Sequence, residues 1–162
     1  MRALGLCIDI PASKKPTVRA VVLQDSLPAD QVPTLSDVIP ADCFEVVSTS
    51  SDLAGQLKEL SAAITGRIES LRPDIVVVRR ADRPPKASNQ DGPRFRLMSE
   101  GAVAAAARML VGKTTIRTGK ECGRAYGTSK SDVEVDAATL VAKRQLFPAA
   151  AAALCGLVAD RD

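Results

Sequence analysis

Apolar residues recur along this chain with two different periods, and the switches between them mark out the elements. Residues 3–10, Ala-Leu-Gly-Leu-Cys-Ile-Asp-Ile, form a mostly apolar run ending near an acid, and the Pro-bounded segment 11–16 breaks it. Residues 17–23, Thr-Val-Arg-Ala-Val-Val-Leu, then read as the returning partner in a strand-turn-strand unit. Residues 24–42 contain Pro28, Pro33 and Pro40 and keep no period, so a long surface connection or irregular excursion is expected there, with a third strand at 44–48. Ser51 or Asp52 can cap a helix in which Leu53, Leu57, Leu60, Ile64, Ile68 and Leu71 recur three or four residues apart. That spacing puts all six on one face. Arg72-Pro73 stops the helix, and the β-branched run 75–78 reads as a strand buried on both faces by helices.

Downstream, residues 81–93 are polar and proline-rich, as an exposed linker would be, and an alanine-rich helix is expected over 97–111. Residues 113–118 suit a fifth strand, and 119–130 read as a glycine-punctuated basic loop. Ser131-x-x-Glu134 has capping-box spacing and opens a helix to about residue 146. Pro148 suits the first turn of a last helix ending near 158. The order is β-β-β-α-β-α-β-α-α, without an internal repeat.

At 162 residues with 46% apolar composition, the chain has material for one domain with a real core, spanning 1–162. No apolar stretch approaches the roughly 18 residues of a membrane span, and the N-terminus leads directly into strand-like residues without a signal-peptide core. A cytoplasmic location without membrane contact is expected. The four cysteines, Cys7, Cys43, Cys122 and Cys155, are dispersed among apolar or small neighbours, and histidine is absent. Buried reduced thiols are expected, and a zinc site or His-based triad is disfavoured.

The net charge of +3 hides an asymmetry: residues 79–130 hold 12 Lys or Arg against 4 Asp or Glu. Basic charge gathered in one third of a chain suits a surface that meets phosphate. With only Phe44, Phe95, Tyr126 and Phe147 as aromatics, a base-stacking platform has little material. Gly112-Lys-Thr-Thr115 matches the tail of a phosphate-binding P-loop, but position 107 is alanine where the first glycine is required, and a helix precedes it. The segment 119–127, with Gly119, Gly123 and Gly127 beside Lys120, Arg124 and Lys130, is the better anion candidate; its alternative is a tight connection whose glycines satisfy turn geometry.

Four stretches together carry a family resemblance: Gly5-Leu-Cys-Ile-Asp9, Leu71-Arg-Pro-Asp-Ile-Val-Val-Val78, Glu100-Gly-Ala-Val-Ala-Ala-Ala-Ala107 and Gly123-Arg-Ala-Tyr-Gly-Thr-Ser-Lys130. In these and in element order the chain resembles the Holliday-junction resolvases of the RuvC type. The resemblance implies an α/β, ribonuclease H-like fold, a five-stranded mixed sheet flanked by helices. It also implies chemistry by three or four carboxylates around two divalent metals that activate water on a phosphodiester. Asp9 falls at the first of those acids. The acid expected after the fourth strand falls on Arg79, and the paired aspartates of the last helix fall on Ala149 and Ala152.

The resemblance therefore implies a catalytically degenerate domain in which Asp9 and Arg79 end adjacent strands and Arg79 takes the metal's place in a salt bridge with Asp9. Asp9 is equally readable as a strand-end acid capping the turn. A rearranged site of Asp9, Asp82 and Asp136 is the endonuclease alternative, and only there would magnesium or manganese be a cofactor, with Asp9 as the candidate ligand. Expected nucleic-acid contacts are Lys14, Lys15, Arg79, Arg80, Arg83, Lys113, Arg117, Lys120, Arg124 and Lys130. Partners on this reading are DNA or RNA, with a homodimer or a protein partner also expected of such domains. A protein-interaction domain without nucleic-acid contact is the third alternative.

Overall fold

The computed structural model describes residues 1–11, 15–28, 30–82 and 91–159. Five strands, β1 (Arg2–Asp9), β2 (Thr17–Gln24), β3 (Ile39–Val47), β4 (Ile75–Arg79) and β5 (Thr114–Arg117), form one sheet in the order β3-β2-β1-β4-β5. β1 runs antiparallel to β2 and parallel to β4, and β4 parallel to β5, so the sheet is mixed. The expected adjacency of the first and fourth strands holds.

Strand alternation assigns each side chain to one of two cores. Leu4, Leu6 and Ile8 of β1 and Val76 and Val78 of β4 pack with Leu60, Ile64 and Ile68 of α1 (Leu53–Leu71) and Val103 of α2 (Asp91–Leu110). On the opposite face Ala3, Ile75 and Val77 meet α3 (Gly119–Tyr126), α4 (Lys130–Leu140) and α5 (Phe147–Ala159). Asp52 caps α1 by accepting from the Gly55 amide, and Arg72, at φ 48, closes it before Pro73.

Four sequence expectations need correction. β3 starts at Ile39 because an exposed edge strand tolerates Pro40, and the register shift against Val22/Leu23 absorbs an extra residue. α2 begins at Asp91, since Pro93 lies in its first turn, where a missing N–H costs nothing. The basic loop is helix α3: Thr118 and Glu121 form a capping box at its start, and Gly127, at φ 87, closes it. The next box is Ser129 with Asp132, so α4 starts before Ser131 and ends at Leu140, well short of 146; a short 3-10 turn, Arg144–Leu146, leads into α5.

Candidate functional site

The parallel strands β1, β4 and β5 end together, and the last residues of each face the α3–α5 side. Cys7 pairs in register with Arg79, Arg79 with Arg117, and across the antiparallel pair Cys7 faces Arg19. Asp9, two residues beyond Cys7, shares this face because strand side chains alternate. Ligands of open α/β sheets lodge outside the carboxyl ends of such strands. A cleft of about 450 Å³ lies here, lined by Arg19, Arg79, Arg80, Arg96 and Arg144, by Asp9 and Asp82, and by Cys7.

Arg79 organises the cleft. It is 4% exposed, and its Nη2 donates to Glu134 of α4 at 2.9 Å and lies 3.6 Å from Asp82. Asp82 also accepts from Lys130 Nζ at 2.5 Å and from the Lys120 amide at 3.3 Å. Partial burial acts to raise the Asp82 carboxyl, but the Lys130 hydrogen bond and the charges of Arg79 and Lys130 outweigh it, so its pKa falls below the usual aspartate value. The guanidinium fits because position 119 is glycine: a Cβ there would stand 2.0 Å from Arg79 Nη2. Gly123 likewise admits the start of α4, since its Cβ would lie 2.5 Å from the Lys130 amide nitrogen. Both glycines make room for neighbours, Gly119 also offers its backbone amide to the Asp82 carboxylate, and Gly127 serves the turn.

The expected Asp9–Arg79 salt bridge does not form. Asp9 is held by Arg19, whose Nη1 donates to it at 2.7 Å, while Arg19 Nε lies 3.6 Å from Glu45. The antiparallel register causes this: Arg19 sits opposite Cys7, on the face of Asp9 and one strand nearer the open edge, whereas Arg79 leans toward α3 and α4. Glu134 thus serves as the Arg79 acceptor and not in a capping box. Arg19, Arg96 and Arg144 are cleft residues that the sequence pattern did not single out, and Glu134 supports the cleft from outside its lining; the strand alternation Arg19, Val21, Leu23 could have placed Arg19 on the face of Asp9.

Asp9, Asp82 and Asp136 do not assemble into the rearranged cluster. Asp136 instead accepts from the Tyr126 hydroxyl, which burial and this hydrogen bond push up to about 12. Among the described residues no group of three His, Cys, Asp or Glu side chains is arranged to hold a metal ion. The donors do not fit the two-metal centre that the resemblance implies: Asp9 is matched by a guanidinium, position 79 supplies a cation, and Ala149 and Ala152 are fully buried methyl groups.

The expected basic contacts divide. Arg80, with Nη2 at 3.9 Å from Glu121, and Lys120, Arg124 and Lys130 lie on or beside α3 at the cleft end, and Lys15 Nζ donates to the Thr49 carbonyl there. Arg117 turns inward, its Nη1 2.9 Å from Cys155 Sγ. Lys113 precedes β5, where its carbonyl accepts from the Val76 amide, and lies at the opposite end of the sheet beside Met1 and Asp74. It does not share the face. Lys14 and Arg83 lie outside the described residues. Of the cysteines, Cys122 and Cys155 are buried as expected, Cys7 is half-buried and Cys43 is exposed; none forms a disulfide. Burial pushes the Cys7 thiol up against the opposing charges of Arg96 and Arg79.

No family model matches the sequence, and no curated protein matches it significantly. Solved structures do. The chain is similar to Thermus thermophilus RuvC with a TM-score of 0.69 at 14% identity, over 99% of this chain and 96% of that one. It is equally similar to T. thermophilus RuvC in complex with a Holliday junction substrate, TM-score 0.69 at 16% identity, over 99% and 95% of the two chains. The chain has the RuvC-type ribonuclease H-like fold. Within that RuvC-like frame the cleft described above lies at the carboxyl ends of β1 and β4. Among the described residues no helix is long and apolar enough to cross a membrane.

Proposed function

We propose that this chain is a catalytically degenerate RuvC-like domain that binds nucleic acid, alone or as the non-catalytic subunit of a nucleic-acid-processing assembly. The observation that carries the proposal is Arg79: a buried guanidinium, held by Glu134 and Asp82, stands where the resemblance puts a metal-binding carboxylate. A site that needs hard oxygen ligands for two cations cannot be built around it. Support for nucleic acid comes from the basic flank Arg80, Lys120, Arg124 and Lys130 at the cleft end, and from the likeness to a RuvC that was solved with a Holliday junction substrate. DNA is the first partner to test.

The test has two arms. Incubation with a four-way junction and magnesium or manganese is expected to give no cleavage. Binding to the same junction is expected to weaken with salt, and Lys120→Ala with Arg124→Ala should lower both affinity and salt slope, by about one unit per lost phosphate contact. Cleavage abolished by Asp9→Asn would overturn the degenerate reading. Absence of binding at low salt would overturn the nucleic-acid reading in favour of a protein-interaction domain.

A further inference from the structure

We infer that the arginine-lined cleft is a subsite for a single phosphate group, seated where the fold implies metal ions. Two observations carry this. First, Arg79 Nη1 is buried without a hydrogen-bond partner, although the same guanidinium is firmly held through Nη2. A buried donor left unpaired costs free energy, and because Arg79 lines the polar cleft, a small shift of its guanidinium would bring this donor to an acceptor there. Second, the other arginines of the lining spend only part of their donor sets. Arg96 engages Glu100 through Nε at 2.8 Å, leaving both Nη groups without a partner among the described residues, and the exposed Arg144 side chain has no ion pair there.

The local charge has to be counted in full. Asp9 and Asp82 line the cleft; Glu45, Glu100, Glu121 and Glu134 pair with its arginines from outside the lining. Those acids neutralise charge yet leave N–H donors pointing at no acceptor, because each guanidinium carries five. The planar fork of arginine matches a tetrahedral oxyanion, and two forks meeting at one group give the orientation that a point charge does not. A cleft of about 450 Å³ takes a phosphate with its two ester arms running out to the rim. The Arg79–Glu134 and Lys130–Asp82 pairs both anchor the floor of the subsite to α4, which holds the Arg79 side chain close to its place before the phosphate arrives.

For the source of the phosphate the inference rests on the nucleic-acid reading; the existence of the subsite does not depend on it. Inorganic phosphate and a duplex DNA are therefore the two probes, used with the full chain. Arg144→Ala is the primary variant because the residue is exposed, Arg96→Gln the second, and Lys58→Ala on the outer side of α1 the control. Phosphate titrated into the ¹⁵N-labelled protein is expected to shift the amides of Cys7, Asp9, Arg79 and Arg80. Each cleft variant should weaken phosphate binding about tenfold, and should lower DNA affinity with a loss of about one unit of salt slope, whereas Lys58→Ala should change neither.

Phosphate affinity unchanged in both cleft variants, or shifts scattered over surface lysines, would mean an adventitious ion only and would overturn the subsite. If DNA binds the wild type but is neither competed by phosphate nor weakened by the cleft variants, the subsite fails while the nucleic-acid reading stands. If phosphate binds at the cleft and DNA binds nowhere, the subsite stands with free phosphate or a small phosphate ester as its ligand, and the nucleic-acid reading fails.

Discussion

Toward α1 and α2, β1 presents Leu4, Leu6 and Ile8; toward α5 the same strand presents Ala3, Gly5, Cys7 and Asp9. The helices match the strand they cover. α1 brings Leu60, Ile64 and Ile68 to the first face, while α5 brings Ala149, Ala150, Ala152 and Ala153 into the second core, all fully buried. Bulky side chains hold α1 away from its strands, and small ones let α5 settle onto β1 until backbone meets backbone. At Gly5 a Cβ would stand 1.9 Å from the Ala149 carbonyl oxygen. The difference bears directly on the chemistry. The face carrying Ala149 and Ala152 is packed too closely to solvate a carboxylate, and what polar material it keeps lies at the strand ends, where Asp9, Arg19 and Arg79 form ion pairs.

The largest effect expected from this contrast is at Gly5. Gly5→Ala puts a methyl group into fixed backbone and should destabilise by on the order of 4 kcal/mol or more, measured by urea unfolding. Leu6→Ala, one residue away on the other face, leaves a cavity that its neighbours can partly close, at about 2–5 kcal/mol. A Gly5→Ala penalty smaller than that of Leu6→Ala would remove the distinction between the faces.

Ala152→Asp is expected to come next, at about 3–5 kcal/mol for an unpaired buried carboxylate, without gain of manganese binding by calorimetry. Recovery of tight manganese binding in that variant would show that α5 can move off the sheet. Arg79→Met should cost about 2 kcal/mol, less than a fully buried pair would, because Asp82 and Glu134 keep some contact with water. The same substitution frees Asp82 from one of its two cations, so its carboxyl should titrate higher, visible by NMR.

The smallest effect belongs to the α1 side. Glu59 accepts from the Ser48 and Ser50 hydroxyls and the Thr49 amide, and these hydrogen bonds lower its carboxyl from 4.5 to about 2. A carboxyl depressed by folding stabilises fully above its ordinary pKa, and the contribution is lost as pH falls through the folded value. Wild type and Glu59→Gln should therefore differ at neutral pH and converge as pH falls toward about 2, in thermal unfolding followed by circular dichroism. A gap that stayed constant with pH would assign the difference to packing.

What the sequence determined by itself was whatever is written in contacts between near neighbours. The alternation of β1, the single-faced stripe of α1 and the Arg72-Pro73 stop are all legible residue by residue, and with them the order of the strands and of the long helices. Even α3 was written there: Thr118-x-x-Glu121 and Gly127 are the start and stop signals of a short helix, obscured by glycines whose purpose lies in other elements. Tertiary structure decided the charge pairing. Asp9 meets Arg19 and not Arg79, and Arg79 meets Glu134, 55 residues away. Such pairings depend on strand register and on how closely α3 and α4 approach the sheet, and in a strand a shift of one residue turns every side chain to the opposite face.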